Sequence, residues 1–216
     1  AAGKGERAGR EKPKQYEWLA GKSLLARSAA AFAGLPVTVV IGPGQDDLYA
    51  AALPGGAPPV TGGTRRQDSV RLGLEALEKS APDFVLIHDA ARPLVSLAVI
   101  KGVISALTGG AKGAVPMLAL ADTLRRKDGE AWTTIARDNL FRAQTPQGFH
   151  FADILKAHRD HAARDVTDDV EIAALAGLKV EPVPGEETNL KITTEKDFAL
   201  AERLLFDGRD AVSAMG

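Results

Sequence analysis

Short apolar runs rich in β-branched residues alternate along this chain with segments whose apolar positions recur every three or four residues. Val37–Ile41 is a run of the first kind, closed by Gly42-Pro43-Gly44, and reads as a buried strand. Phe84–Ile87 reads as a second strand. Ala114–Leu118 reads as a third, in which Pro116, with no N–H to give a neighbour, predicts an edge position or a bend. Ser23 is placed to cap a helix carrying Leu24, Leu25, Ser28 and Phe32, and Asp68 one carrying Val70, Leu74 and Leu77. Ser96 precedes the core-facing stripe Ile100, Val103, Ile104 and Leu107. Thr194, with Asp197 three residues on, is a capping-box variant opening a helix that buries Phe198, Ala201 and Leu205. Strand and helix alternating at these lengths predict an α/β domain, a mostly parallel twisted sheet with helices on both faces.

Residues 119–147 break the alternation. The polar stretch Arg125-Arg126-Lys127-Asp128-Gly129-Glu130 has no helical stripe, and a projecting β-hairpin arm is the reading it favours over a solvated loop. The chain opens on Ala1-Ala2-Gly3-Lys4-Gly5, a glycine-rich turn of the kind that follows a buried strand, so a first strand is expected before Ala1. Helical periodicity fades after Leu205. The domain proper is therefore expected over 1–205, with 206–216 as a tail or linker.

Composition narrows the function. A chain of 216 residues with 45% hydrophobic and 25% charged positions fits one globular domain. Its 27 basic residues balance 28 acidic ones to a net charge of −1, which favours neither a nucleic acid nor an acidic membrane as partner. No apolar run approaches the length of a membrane span, and no basic-then-apolar leader precedes the first motif, so a cytoplasmic location is expected. The lack of cysteine excludes disulfides, thiol catalysis and cysteine-based zinc sites.

Ligands of open α/β sheets bind where strands run into loops, and four loops there are unusual. In the first, glycines at 3 and 5 allow backbone amides to approach a polyphosphate, with Arg7 and Lys14 as nearby cations; the spacing is neither a Walker A loop nor a dinucleotide fingerprint, since Ala8 holds the third glycine position. In the second, Gly62-Gly63 lead into a helix start with Ser69, which reads as an anion or base site or as an ordinary capped helix. In the third, Asp89 follows the strand ending at Ile87, placed to hold a ribose, a hydroxyl or a hydrated Mg²⁺, unless Arg92 merely pairs with it. The fourth combines Gln144-Thr145-Pro146-Gln147 with Asn189–Thr194, where Lys191 is expected mid-strand and must reach a cleft or a partner. His158 and His161 read as a solvated helix end rather than a metal-binding pair.

The series AAGxGxR (1–7), PKQY (13–16), GGxxRxxSV (62–70), HDAARP (88–93), DT (122–123), QTPQ (144–147), TDD (167–169) and NxKIT (189–193) resembles the 2-C-methyl-D-erythritol 4-phosphate cytidylyltransferases. The likeness runs in order from Ala1 to about Leu205, departing at Ala119, Ala136 and Phe141, where the family commonly has Pro, Asp and Trp. It implies a Rossmann-like nucleotidyltransferase that joins CMP from CTP to a polyol phosphate with Mg²⁺ or another divalent cation, the metal being held largely by the triphosphate. The resemblance places Ala1, Ala2, Gly3, Gly5 and Lys14 around the phosphates, and Gly62, Gly63, Ser69, Asp89 and Ala90 on the nucleotide. It assigns Asp89, Arg92, Thr123, Arg137, Thr167 and Lys191 to the acceptor pocket, and catalysis to Arg7, Lys14, Arg137 and Lys191. It also implies a homodimer whose arm completes that pocket, and it admits a fusion to the cyclase acting later in the same pathway. A ribitol 5-phosphate cytidylyltransferase, a silent nucleotide-binding module and a dehydrogenase are the competing readings.

Overall fold

The computed structural model describes residues 13–213, beginning with a 3₁₀ turn at Lys14–Tyr16. Two short antiparallel strands, β1 (Trp18–Leu19) and β2 (Lys22–Ser23), lead into α1 (Leu24–Ala30). There follow β3 (Val40–Ile41), α2 (Asp46–Ala52), β4 (Val60–Thr61), α3 (Arg66–Ala76), β5 (Phe84–Ile87), α4 (Leu97–Thr108) and β6 (Gly113–Ala119). The strands β7 (Leu124–Asp128) and β8 (Ala131–Ile135) pair only with each other. The chain returns through β9 (Phe141–Ala143) and β10 (Gln147–His150) to α5 (Phe151–Asp160), α6 (Asp169–Leu175), β11 (Val180–Pro184) and α7 (Glu195–Ser213).

The main sheet has five strands in the order β11-β6-β10-β5, with β9 also on β6. It is mixed. β11 runs parallel to β6, but the chain coming back from the arm lays β10 antiparallel between β6 and β5. Helices cover both faces. Phe149 of β10 packs with Ile154, Leu155, Ile172 and Leu74 on one face, while its neighbour Gly148 is met from the other by Val103 and Leu107 of α4. Successive strand residues point to opposite faces, so this one pair of positions separates the layers.

Three elements differ from their sequence reading. Only Val40–Ile41 of the first apolar run is paired, because its partner β4 is equally short, and Val37 is exposed. Pro116 stands inside the sheet, not at an edge or bend. Its carbonyl accepts from the Gln144 N–H on the side where β6 changes partner from β10 to β9, so the N–H it lacks falls where no ladder bond is needed. The final helix continues to Ser213, past the point where its apolar stripe fades.

Serine caps behave as expected: Ser23 accepts from the Ala26 N–H and Ser96 from the Val99 N–H, each closing a free donor of the first turn. At α7 the Thr194 and Asp197 side chains accept from each other's main-chain N–H. Asp68 acts one turn later than expected. The helix starts at Arg66, and Asp68 receives the Arg65 N–H from within the first turn at 3.3 Å. The arm is a hairpin with a two-residue turn at Gly129-Glu130.

Candidate active site

The HDAARP loop leaves the end of β5 and folds into a turn, closed by the Arg92 N–H on the Asp89 carbonyl at 2.9 Å. The extended segment 189–192 lies along it. Ile192 N–H reaches the Ala91 carbonyl, the Arg92 guanidinium donates to the Asn189 carbonyl at 2.7 Å, and Lys191 Nζ stands 2.7 Å from Asp89 Oδ2. Two expectations are corrected. Arg92 does not pair with the Asp89 carboxylate, and Lys191 lies in no strand; it is solvent-accessible and directed at Asp89 from an irregular segment. Burial alone would raise the Asp89 carboxyl, but Lys191, with Arg66 and Arg92 behind it, pulls it down to about 2. Asp89 is thus ionised across the neutral range.

Lys14 enters from the other side. Tyr16, fully buried, anchors the 3₁₀ turn among Leu25, Ile41 and Tyr49, and its hydroxyl bonds Gln45 Oε1 at 2.8 Å. The Lys14 ammonium donates to the Ile192 carbonyl at 2.8 Å, one residue from Lys191. Ala90 packs against the same apolar cluster, and its carbonyl accepts from Ser28. Lys14, Asp89, Ala90, Arg92 and Lys191, drawn from widely separated segments, therefore meet. Ala1, Ala2, Gly3, Gly5 and Arg7 lie outside the described residues.

In the second loop, Gly62 N–H bonds the Ile41 carbonyl at 2.7 Å, and Gly63 N–H donates to Ser69 Oγ at 3.1 Å. Ser69 is spent on loop geometry, since its hydroxyl also reaches the Arg65 carbonyl. A Cβ at Gly63 would sit 2.4 Å from Asp68 Cβ, and the Asp68 carboxylate is clamped by Arg65 at 2.6 and 2.9 Å. Gly63→Ala is therefore expected to lose about 1–3 kcal/mol of stability through overpacking. Urea unfolding checks this; an unchanged midpoint would mean that the loop has slack.

A charged group at this end of the sheet carries no signal of its own in the sequence. Arg66 is the arginine of GGxxRxxSV, next to Arg65. The two part company in space: Arg65 turns to Asp68 and the carbonyls of Ala162 and Arg164, while Arg66 Nη2 reaches the buried Asp169 Oδ2 at 2.6 Å. Burial would lower the Arg66 guanidinium, but Asp169, Asp89 and Asp168 together hold it raised. Behind Asp169 lies His158, Nε2 to Oδ1 3.2 Å, both side chains essentially inaccessible. His158 is no solvated helix end. It follows Ile154 and Leu155 by four and three residues, on the inward face of α5. Gln144, Thr145 and Asn189 form a buried polar knot in which Asn189 Nδ2 bonds the Thr145 carbonyl at 2.9 Å, a role their motifs do not announce.

Thr123, Arg137 and Thr167 are exposed, and this chain by itself does not gather them in. Arg137 bonds the Ala121 carbonyl at the base of the arm, and Thr167 bonds Glu171 Oε2. Among the described residues no group of three or more His, Cys, Asp or Glu side chains is arranged to hold a metal, and no helix is long and apolar enough to cross a membrane.

The family model described as IspD: 2-C-methyl-D-erythritol 4-phosphate cytidylyltransferase matches residues 1–207. A protein of Paracoccus denitrificans named "Bifunctional enzyme IspD/IspF" is 53% identical over 212 residues, covering 97% of this chain and 56% of its own length. The chain thus spans little more than half of that relative. The 2-C-methyl-D-erythritol 4-phosphate cytidylyltransferase of Cereibacter sphaeroides is 47% identical, covering 95% of this chain and 94% of its own. The crystal structure of the enzyme of that name from Thermus thermophilus superposes with a TM-score of 0.73 at 33% identity, over 89% of this chain and 94% of that one.

Proposed function

Because the chain belongs to the 2-C-methyl-D-erythritol 4-phosphate cytidylyltransferase family, we propose that it transfers CMP from CTP to 2-C-methyl-D-erythritol 4-phosphate and releases pyrophosphate. The observation that carries this reading is the ionised Asp89 held by Lys191, with Arg66 and Arg92 acting on the same carboxylate and Lys14 tethered to the Ile192 carbonyl one residue from Lys191. A phosphate oxygen of the acceptor attacks the α-phosphorus of CTP in line. The new P–O bond forms as the bond to the α,β-bridging oxygen breaks, and its electron pair leaves on pyrophosphate. The acceptor phosphate is already anionic, so no strong base is needed. The difficulty is bringing anions together, and fixed cations meet it by positioning and by stabilising charge in the transition state.

In this scheme Lys14 stabilises the charge developing at the α-phosphate and Lys191 grips the acceptor phosphate. Asp89, an ionised carboxylate, is a side chain suited to a hard cation, and a single carboxylate is enough for a Mg²⁺ held mainly by substrate phosphates. Bound there, the metal would neutralise phosphate charge. The arm exposes Trp132, Leu140 and Phe141, which suits packing against a second copy and would carry Thr123 and Arg137 to that copy's pocket. The transfer is proposed for this chain alone, whatever further activity its longer relatives have.

Lys191→Ala should raise the KM for the acceptor about 10–100-fold, the loss of one charge-assisted contact, with a smaller effect on kcat. It should also move the acid limb of the pH–rate profile upward, because the cation holding the Asp89 carboxyl down is gone. The reaction itself is read by ³¹P NMR: two coupled diphosphate signals replacing the acceptor's monoester signal support the transfer, and free CMP without them would contradict it.

A further inference from the structure

His88 stands beside Asp89, and its ring nitrogens meet no charged side chain that the proposed reaction uses. Its ring is half-buried and tilted against Phe32, centroids 5.0 Å apart. Nε2 lies 3.1 Å from the Arg92 carbonyl oxygen, and Nδ1 lies 3.0 Å from Thr145 Oγ1. A carbonyl only accepts, so Nε2 carries the hydrogen. In the neutral ring Nδ1 is then an acceptor, and the Thr145 hydroxyl must donate to it. That orientation leaves the lone pairs of Thr145 Oγ1 for the Asp89 N–H, which donates to it at 3.1 Å. One imidazole therefore ties both ends of the Asp89–Arg92 turn, the far end directly and the near end through a hydroxyl whose rotation it sets.

We propose that His88 is a positioning residue, fixing the Thr145 hydroxyl and, through it, the main chain that carries Asp89 toward Lys191. Without that acceptor, the hydroxyl is free to rotate and to turn its own hydrogen toward the Asp89 amide. The carboxylate would then lose its single orientation against Lys191 Nζ. The kinetic consequence rests on the cytidylyltransferase reading; the structural one does not.

Two substitutions separate the ring nitrogens. In His88→Asn the side-chain oxygen overlays Nδ1 and can accept from Thr145; in His88→Gln the amide overlays Nε2 and can donate to Arg92. Asparagine is one methylene shorter than glutamine and leaves the larger void, so loss of packing alone would harm His88→Asn more, the reverse of the order expected here. Amide hydrogen exchange at Asp89 should quicken at least about tenfold in His88→Gln and stay near wild type in His88→Asn. With kcat falling about 10²-fold in the first and only a few-fold in the second, misplacement would account for the difference. ¹⁵N NMR of the unsubstituted protein should show His88 protonated at Nε2. A hydrogen on Nδ1, or equal exchange at Asp89 in both variants, would overturn the proposal. A wild-type protein inactive on the acceptor would overturn the proposed reaction instead, while the exchange comparison still decides for His88.

Discussion

Asp169→Asn is expected to cost about 3 kcal/mol of stability, the lower end of the range for removing one member of a buried ion pair. The Asp169 side chain is 1% exposed and holds Arg66 at 2.6 Å, whereas the Arg66 side chain keeps 35% exposure and can recover some hydration. Asparagine preserves the shape but leaves Arg66 without its carboxylate, and it puts an amide where His158 faces Asp169 Oδ1. Urea unfolding at neutral pH measures the loss. The pH dependence carries the sign. Burial raises the Asp169 carboxyl, but His158 and Arg66 outweigh it and the net shift is downward. Its contribution is therefore complete above the unfolded value near 3.8 and is lost as pH falls below that toward the folded value. The variant should lack that part of the acid limb; parallel stability–pH curves for the two proteins would refute the assignment.

Lys14→Ala should lower kcat by about 10²–10³, as removal of other preorganised donors does. The lysine is preorganised here in a physical sense. Tyr16 is locked in the core two residues on, and the ammonium is tethered to the Ile192 carbonyl beside Lys191. In the proposed reaction its removal would take a cation from the α-phosphate without emptying the core, so melting should barely change while turnover collapses. Lys14→Arg should not restore the rate, because a planar fork on a short turn cannot reproduce a compact ammonium at the same point. Single-turnover kinetics, which isolate the chemical step from product release, are the check. A kcat within about threefold of wild type would remove Lys14 from the chemistry.

Local signals are legible in the sequence, and long-range ones are not. Ser23, Ser96 and the Thr194–Asp197 pair announce their helices because a cap is a property of four or five neighbouring residues. The hairpin is legible for the same reason. Pro116 misleads because a proline's tolerance depends on which strand faces its missing N–H, and that partner, around Gln144, comes later in the chain. Lys191 looks like a strand residue from its apolar neighbours, although Ile192 and, in part, Leu190 pack into the core beside α7 while the lysine between them faces Asp89. Arg65 and Arg66 are indistinguishable in a string of letters. Their different fates are set by Asp68 three residues away and by Asp169 on α6, and only folding brings the latter near. The HDAARP and NxKIT motifs flag the right segments, but the register that lays one on the other through Ala91, Asn189 and Ile192 is a property of the tertiary structure.

Pyrophosphate release from CTP and Mg²⁺, with 2-C-methyl-D-erythritol 4-phosphate and ribitol 5-phosphate as acceptors in parallel, tests the proposed reaction most directly. Release that depends on methylerythritol phosphate and is negligible with ribitol phosphate is the expected result. Release with ribitol phosphate alone, or with neither acceptor from folded protein that binds CTP, would contradict it.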